Sequence, residues 1–185
     1  VGQDWSVIYI VNRRTMQHSA IWRSSTTPPT ELAHTIVNLA TSYNSAKVLV
    51  ESNNYGHVVI NEMKHQGYSN LWHDADGKDW QTTVKSKTAM FEHLKKLLQG
   101  GTIRNIDNIT MSELRAITIT ERGLIQLPER LSTHADSAVA MALTYQCCEA
   151  VKLKDVGFLP QWVKDRKAER IKTSSAVSIG AHRRY

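Results

Sequence analysis

Hydrophobic and polar residues alternate near the start of the chain and follow helical spacing further on. Two runs rich in β-branched and aromatic residues, Trp5–Val11 and Met16–Arg23, flank a polar tetrapeptide, which predicts a β-hairpin. Apolar residues then recur at offsets 0, 4, 7, 8 and 11 from Leu32. This spacing predicts one face of a helix that begins near 27–31, with Thr27 as a cap.

A short apolar run and several helical patterns follow. The run 46–51 predicts a buried strand. The other expected elements are a helix over 57–66, a weak strand over 70–73, a helix capped by Ser86 and ended by Gly100–Gly101, a helix over 110–117 and a long helix over 133–152. This order predicts an α/β domain with a mixed sheet that opens with antiparallel strands and has helices packed on its faces.

The composition fits a single domain with a substantial core. The chain has 185 residues, 41% hydrophobic and 22% charged, which excludes a disordered or collagen-like protein. Its longest apolar runs are far shorter than the roughly 18 to 20 residues that cross a bilayer, so no membrane segment is expected. Adjacent Cys147 and Cys148 on a helix predict no disulfide framework. The chain has no basic segment followed by an apolar stretch at its start, so no signal peptide is expected, and the missing initiator Met suggests a piece of a longer protein.

The positive charge is concentrated near the C-terminus. The net charge is +6, and residues 164–185 hold seven basic and two acidic residues, so about +1 remains for the rest. A basic tail over 157–185, after a domain over 1–156, is compatible with binding a polyanion. A solvated terminus is the alternative interpretation.

Glu51 is the first candidate for chemistry. It closes the 46–51 run directly before the turn residues Ser52–Gly56. Functional groups of α/β sheets gather at the carboxyl ends of strands. Because strand residues alternate, Val48 and Val50 share one face, and Leu49 and Glu51 share the other. The alternative is that the strand simply emerges into solvent at Glu51.

Asp136 is the second candidate. It lies on the helical face that carries Val139, Ala140, Leu143 and Cys147, which is small and apolar. An unpaired carboxylate on a packed face costs several kcal/mol, so a partner, a cation or the helix start must offset its charge. The alternative is an aspartate that merely caps the first helical turn.

Glu51 and Asp136 together suggest a site for hard cations, since carboxylate oxygens suit Mg²⁺ and Mn²⁺. His134 could be a further ligand, an acid or base, or a contact to DNA phosphate, although an incidental histidine is the alternative. Asp4, directly before the first strand, is a third acid. Other chemistries lack support, because the sequence has no phosphate-binding glycine loop, no serine elbow and no zinc-ligand spacing.

Four segments of the sequence carry a family resemblance, namely Gly2–Ile8, Val50–Gly56, Thr83–Lys87 and His134–Leu143. In their order and spacing they resemble the C-terminal nuclease domain of the large terminase subunit of tailed double-stranded DNA phages. The resemblance covers about residues 2–143. It implies an RNase H-like fold and a two-metal endonuclease, using Mg²⁺ or Mn²⁺, that cuts concatemeric DNA during genome packaging.

By position, the resemblance assigns catalytic and metal-binding roles to three acids. Glu51 matches the acid after the central strand, and Asp136 matches the last acid of a motif that is often His-Asp-Asp, where this chain has Ala135. Asp4 matches a second aspartate of the first-strand motif, and the family's first catalytic aspartate is expected before Val1. His134 also falls in the catalytic motif.

The resemblance further implies partners and a location. Lys85, Lys87 and Arg104 could hold the DNA backbone, although solvated side chains are the alternative. The expected partners are double-stranded DNA and, for the full-length protein, the small terminase subunit and the portal, in the host cytoplasm at the procapsid. Two rivals stay open, namely another RNase H-like nuclease of the resolvase type and a non-catalytic module that docks to DNA or portal.

Overall fold

A computed structural model describes residues 5–128 and 135–150 of the chain. Asp4, His134 and the tail 157–185 therefore lie outside the described residues. The strands are β1 (Ser6–Asn12), β2 (Gln17–Ser24), β3 (Thr118–Ile119) and β4 (Ile125–Gln126). The helices are α1 (Pro29–Ser42), α2 (Gly56–His65), α3 (Val84–Gln99), α4 (Asn108–Ala116) and α5 (Asp136–Ala150). Within the described ranges, no helix has both the length and the apolar character that a membrane crossing requires.

The expected hairpin is confirmed. Strands β1 and β2 pair antiparallel from Ser6↔Ser24 to Asn12↔Gln17, with a register shift after Ile10. Asn12 holds the turn, because its side-chain oxygen accepts the N–H of Arg14 at 2.9 Å. Asn12 is therefore a turn residue as well as the last residue of β1.

The expected strand over 46–51 is only partly formed. Val48 pairs with Leu71 and Glu51 pairs with Trp80, both as isolated parallel bridges. Each bridge involves a different short segment, so a continuous ladder with one partner does not form along the run. The weak strand expected over 70–73 is likewise reduced to the bridge at Leu71. This extended run still lies between the two helical layers described next.

Helices cover both faces of the extended segments, as expected. One core cluster packs α1 and α2 residues against Ile8, Val48 and Val50. The other packs α3 and α5 residues against Tyr9 and Leu49. The alternation expected from the sequence is therefore confirmed for Val48, Leu49 and Val50.

Two expected helix caps are wrong. Helix α1 has no side-chain cap, because its N-cap residue is Pro28, and the hydroxyl of Thr27 donates to Ser24 Oγ at 2.7 Å. Helix α3 is capped by Thr83, and Ser86 is the third helical residue of a reciprocal capping box. The expected stop at Gly100 is confirmed, and Gly101 adopts a φ of +65° that suits glycine.

Candidate active site

The start of α5 lies beside the start of the hairpin. The backbone N–H of Trp5 donates to Oδ2 of Asp136 at 3.0 Å. Trp5 directly follows Asp4 in the sequence, although Asp4 itself lies outside the described residues. This hydrogen bond links two of the four segments on which the resemblance rests.

Helix α5 then runs along β1 in the same direction. The hydroxyl of Thr144 donates to the carbonyl of Tyr9 at 3.1 Å, and the hydroxyl of Tyr145 donates to the carbonyl of Met16 at 2.9 Å. Tyr145 is fully buried, so its hydrogen bond satisfies a hydroxyl that would otherwise be costly to bury. The hairpin therefore fixes α5 at several points along its length.

Glu51 is held at the end of the extended run by two neighbours. Its Oε1 accepts a hydrogen bond from the side-chain amide of Asn53 at 3.2 Å. Its backbone carbonyl lies so close to Gly56 that a Cβ added to Gly56 would stand 1.7 Å from the oxygen. Glycine at position 56 therefore allows α2 to begin against the backbone of Glu51.

The turn after Glu51 is tied to the segment that leads into α3. Both the N–H and the hydroxyl of Ser52 donate to the carbonyl of Trp80 at 2.8 Å. The amide of Asn53 also donates to the carbonyl of Thr82 at 2.9 Å. Because Thr83 caps α3, the same hydrogen bonds fix where this helix begins.

Lys85 and Lys87 lie in the first turn of α3, near this anchored turn. Lys85 is exposed and Lys87 is half-buried. Arg104 lies elsewhere, because its N–H donates to the side chain of Gln17 at 3.1 Å. Gln17 pairs with Asn12, six residues and roughly 20 Å along β1 from the end near Asp136. Hydrogen bonds therefore link the Glu51 turn to the segment just before the two lysines, whereas Arg104 lies near the opposite end of β1.

A buried polar network next to Asp136 was missed by the sequence analysis. Glu113 of α4 accepts the N–H of Ala138 at 2.8 Å, and Arg23 Nε donates to Ser137 Oγ at 2.8 Å. Arg23 also donates to Asp107 Oδ1 at 2.7 Å. One signal was available, because Glu113 shares the inward face of α4 with Thr110 at i−3, and a charged residue on such a face is rarely incidental.

The two carboxylates of this network respond oppositely to their surroundings. Burial raises the pKa of Glu113, and repulsion from Asp136 acts in the same direction, against hydrogen bonds from Ala138 and Ser137. Burial also acts to raise the pKa of Asp107, but hydrogen bonds from Thr110 and Arg23 outweigh it, so that pKa lies below its usual value. The positive charge of Arg23 therefore helps to keep the pKa of Asp107 low, whereas burial dominates the pKa of Glu113.

The described residues supply an incomplete set of metal ligands. Within 5–128 and 135–150, no three His, Cys, Asp or Glu side chains come together as a group that could hold an ion. Glu51 and Asp136 offer hard oxygen donors of the type that Mg²⁺ prefers. Asp4 and His134, the other two residues assigned by resemblance, lie outside the described residues. The carboxylate oxygens of these two described acids thus suit a hard divalent cation.

Comparisons with known proteins point to one fold. No protein-family model and no curated protein sequence matches the chain. The crystal structure of the large terminase nuclease from thermophilic phage G20c is 20% identical, with a TM-score of 0.64 over 79% of this chain and 76% of that one. The same nuclease with bound magnesium and with bound cobalt gives a TM-score of 0.66 in each case, at 20% identity over 78% of this chain and 75% of the other. The chain therefore has the fold of the large terminase nuclease, and it is of the α/β class expected from its sequence.

Proposed function

We propose that this chain is the metal-dependent endonuclease domain of a phage DNA-packaging terminase. Its reaction is hydrolysis of phosphodiester bonds in concatemeric double-stranded DNA. The observation that carries the proposal is the hydrogen bond from Trp5 to Asp136, because it brings the first-strand motif to the acid of the last motif. The shared fold supports the same assignment, and the G20c nuclease has been crystallised with bound magnesium.

Glu51, Asp136 and Asp4 are proposed to hold two divalent cations, Mg²⁺ or Mn²⁺. When bound, such cations supply an activated water and charge stabilisation for the leaving 3′ oxygen. The chain's own task is to orient the carboxylates. Asn53 engages Oε1 of Glu51 and Trp5 engages Oδ2 of Asp136, so each hydrogen bond restricts how its carboxylate can turn. His134 is proposed as an auxiliary acid, base or ligand.

Lys85 and Lys87 are proposed to contact the phosphate backbone of the DNA. They lie at the N-terminus of α3, where backbone N–H groups also favour an anion. The turn that holds Glu51 is bonded to the same helix start, so a phosphate bound there would lie near the acid. Arg104 is proposed as a separate contact on the far side of the hairpin. Such contacts position DNA without reading its sequence.

The remaining assignments concern the partners of the domain in DNA packaging and the role of the basic tail. The domain over 1–156 is proposed to act with the small terminase subunit and the portal in the host cytoplasm, at the procapsid. The tail over 157–185 is proposed to add phosphate contacts through its basic residues. These roles follow from the resemblance and from the charge distribution of the sequence.

The decisive experiment is cleavage of a supercoiled plasmid with Mg²⁺ or Mn²⁺. We expect cutting that EDTA abolishes and that Glu51→Gln and Asp136→Asn each remove. Glu149→Gln, which neutralises an exposed acid at the opposite end of α5, is the matched control and should cut normally. Selective cutting of four-way junctions would instead favour a resolvase-type enzyme, and DNA binding without cutting would favour a docking module.

A further inference from the structure

The first turn of α5 receives its cap from a different helix. The carbonyl of Ala135 accepts the N–H of Val139 at 2.8 Å, which makes Ala135 the residue at the N-cap position. An alanine side chain has no oxygen for the next N–H groups. Glu113 of α4 serves them instead, because its carboxylate accepts the N–H of Ala138 at 2.8 Å, and hydrogen bonding by Ser137 acts to lower its pKa. The N–H groups of Ser137 and Ala138 are the two that a capping side chain normally binds.

A second restraint acts on the same turn. Arg23 of β2 donates to Ser137 Oγ at 2.8 Å and also binds Asp107 and Thr110 at the start of α4. Glu113 is 8% exposed and Ser137 is 1% exposed, so water is largely excluded from these bonds. The residue before Ser137 is Asp136. The network therefore fixes the backbone that carries the proposed metal-binding acid.

We propose that Glu113 is a positioning residue of the proposed nuclease, which caps α5 from α4 and thereby sets the direction of the Asp136 carboxylate. This inference rests on the proposed function. Glu113 is bonded to Ser137 and Ala138, so its effect on the reaction passes through the helix backbone. Loss of the cap should therefore lower kcat and leave the KM for DNA nearly unchanged.

The test compares variants of Glu113 with a matched control on the same helix. Glu113→Met keeps the side-chain volume without an acceptor, and Glu113→Gln keeps an oxygen that can accept. We expect kcat to fall about 10- to 100-fold in Glu113→Met, as for other residues that orient metal ligands, and to recover largely in Glu113→Gln. The control Tyr145→Phe removes a buried hydrogen bond from the other end of α5 and should leave kcat unchanged.

A second readout does not depend on cleavage. Amide hydrogen exchange of Ser137 and Ala138, followed by NMR without metal, should accelerate in Glu113→Met and stay slow in Glu113→Gln and Tyr145→Phe. These amides have no acceptor within their own helix, so their protection reports the cap directly. Adding Ala135→Ser to Glu113→Met places a capping hydroxyl in the chain itself. It should restore both the protection and part of the lost kcat.

The outcomes separate this inference from the proposed function. A normal kcat in Glu113→Met, together with cutting by the unchanged protein, would overturn the positioning role alone. Slow exchange of Ser137 and Ala138 in Glu113→Met would overturn the cap itself. Absence of cutting by the unchanged protein would overturn the proposed function and the positioning role, while the exchange data would still decide whether Glu113 caps α5.

Discussion

The backbone N–H of Trp5 and the Oδ2 atom of Asp136 are 3.0 Å apart, although 131 positions separate the two residues in the sequence. This hydrogen bond requires only an oxygen acceptor at position 136, so the side chain of an asparagine can also accept the N–H of Trp5. Charge at position 136 and the hydrogen bond to Trp5 can therefore be tested separately.

Asp136→Asn should leave the metal-free protein as stable as before or slightly more stable. The variant removes the repulsion that acts on buried Glu113, and the asparagine carbonyl still accepts from Trp5. In thermal unfolding without metal, the free energy of unfolding should differ from that of the unchanged protein by no more than about 0.5 kcal/mol. A clearly lower melting temperature would identify Asp136 as a structural acid.

Asn53→Ala should lower both stability and cleavage. It removes the hydrogen bonds to Glu51 Oε1 and to the carbonyl of Thr82, at about 0.5–1.5 kcal/mol each. Asn70→Ala is the control, since its amide donates to the carbonyl of Ser45 at the opposite end of the same extended run. Urea unfolding should show losses in both variants, whereas only Asn53→Ala should reduce kcat. A kcat of Asn53→Ala equal to that of Asn70→Ala would show that Asn53 does not orient Glu51.

Gly56→Ala should displace the turn that carries Glu51. The added Cβ would stand 1.7 Å from the carbonyl oxygen of Glu51, so the backbone must shift, at a cost of about 1–3 kcal/mol. Gly100→Ala is the milder comparison, because its Cβ would lie 3.2 Å from the carbonyl of Lys96, a tight contact that a shift of a few tenths of an ångström relieves. The free energy of unfolding and the rate of cleavage should both fall in Gly56→Ala and change much less in Gly100→Ala.

The lowered pKa of Asp107 predicts a pH-dependent contribution to stability. A carboxyl whose pKa is lower in the folded state stabilises the protein above its unfolded pKa of about 3.9. That contribution is lost as the pH falls through the folded-state pKa. Asp107→Asn should therefore be destabilising at pH 7 and approach the unchanged protein in acid. Asp76→Asn, on an exposed loop, is the control, and its free energy of unfolding should match that of the unchanged protein over the whole pH range. A pH-independent difference for Asp107→Asn would contradict the assignment.

Deletion of residues 164–185 should weaken the salt dependence of DNA binding. Each phosphate contact contributes about 0.9 to the slope of log affinity against log salt, and the deleted segment holds seven basic residues. Fluorescence anisotropy at several salt concentrations should show the slope reduced by a few units at most. An unchanged slope would place the DNA contacts entirely on the rest of the chain.

Local pattern in the sequence predicted the hairpin and the helices, whereas the strand expected over 46–51 forms only as two isolated bridges. The hairpin, the helical faces and the alternation of Val48, Leu49 and Val50 all follow from spacing. The cap of α3 was mistaken because Thr83 and Ser86 share one capping box, and that of α1 because the N-cap residue is Pro28 and not Thr27. The shared face with Thr110 signalled that Glu113 is buried, but its partner Ala138 could not be predicted, because it is 25 positions away and depends on how α4 meets α5.

The hydrogen bonds between α5 and β1 also restrict how the length of α5 can vary. Eight helical residues from Asp136 to Thr144 rise about 12 Å, and four strand residues from Trp5 to Tyr9 span about 13 Å, so helix and strand match at both contacts. One residue inserted between Asp136 and Thr144 would turn the acid by about 100° about the helix axis. Either the acid would then lose Trp5, or the Thr144 hydroxyl would lose the Tyr9 carbonyl and keep only its bond to the Ala140 carbonyl within the helix. Both contacts with the start of the chain therefore require the present spacing from Asp136 to Thr144.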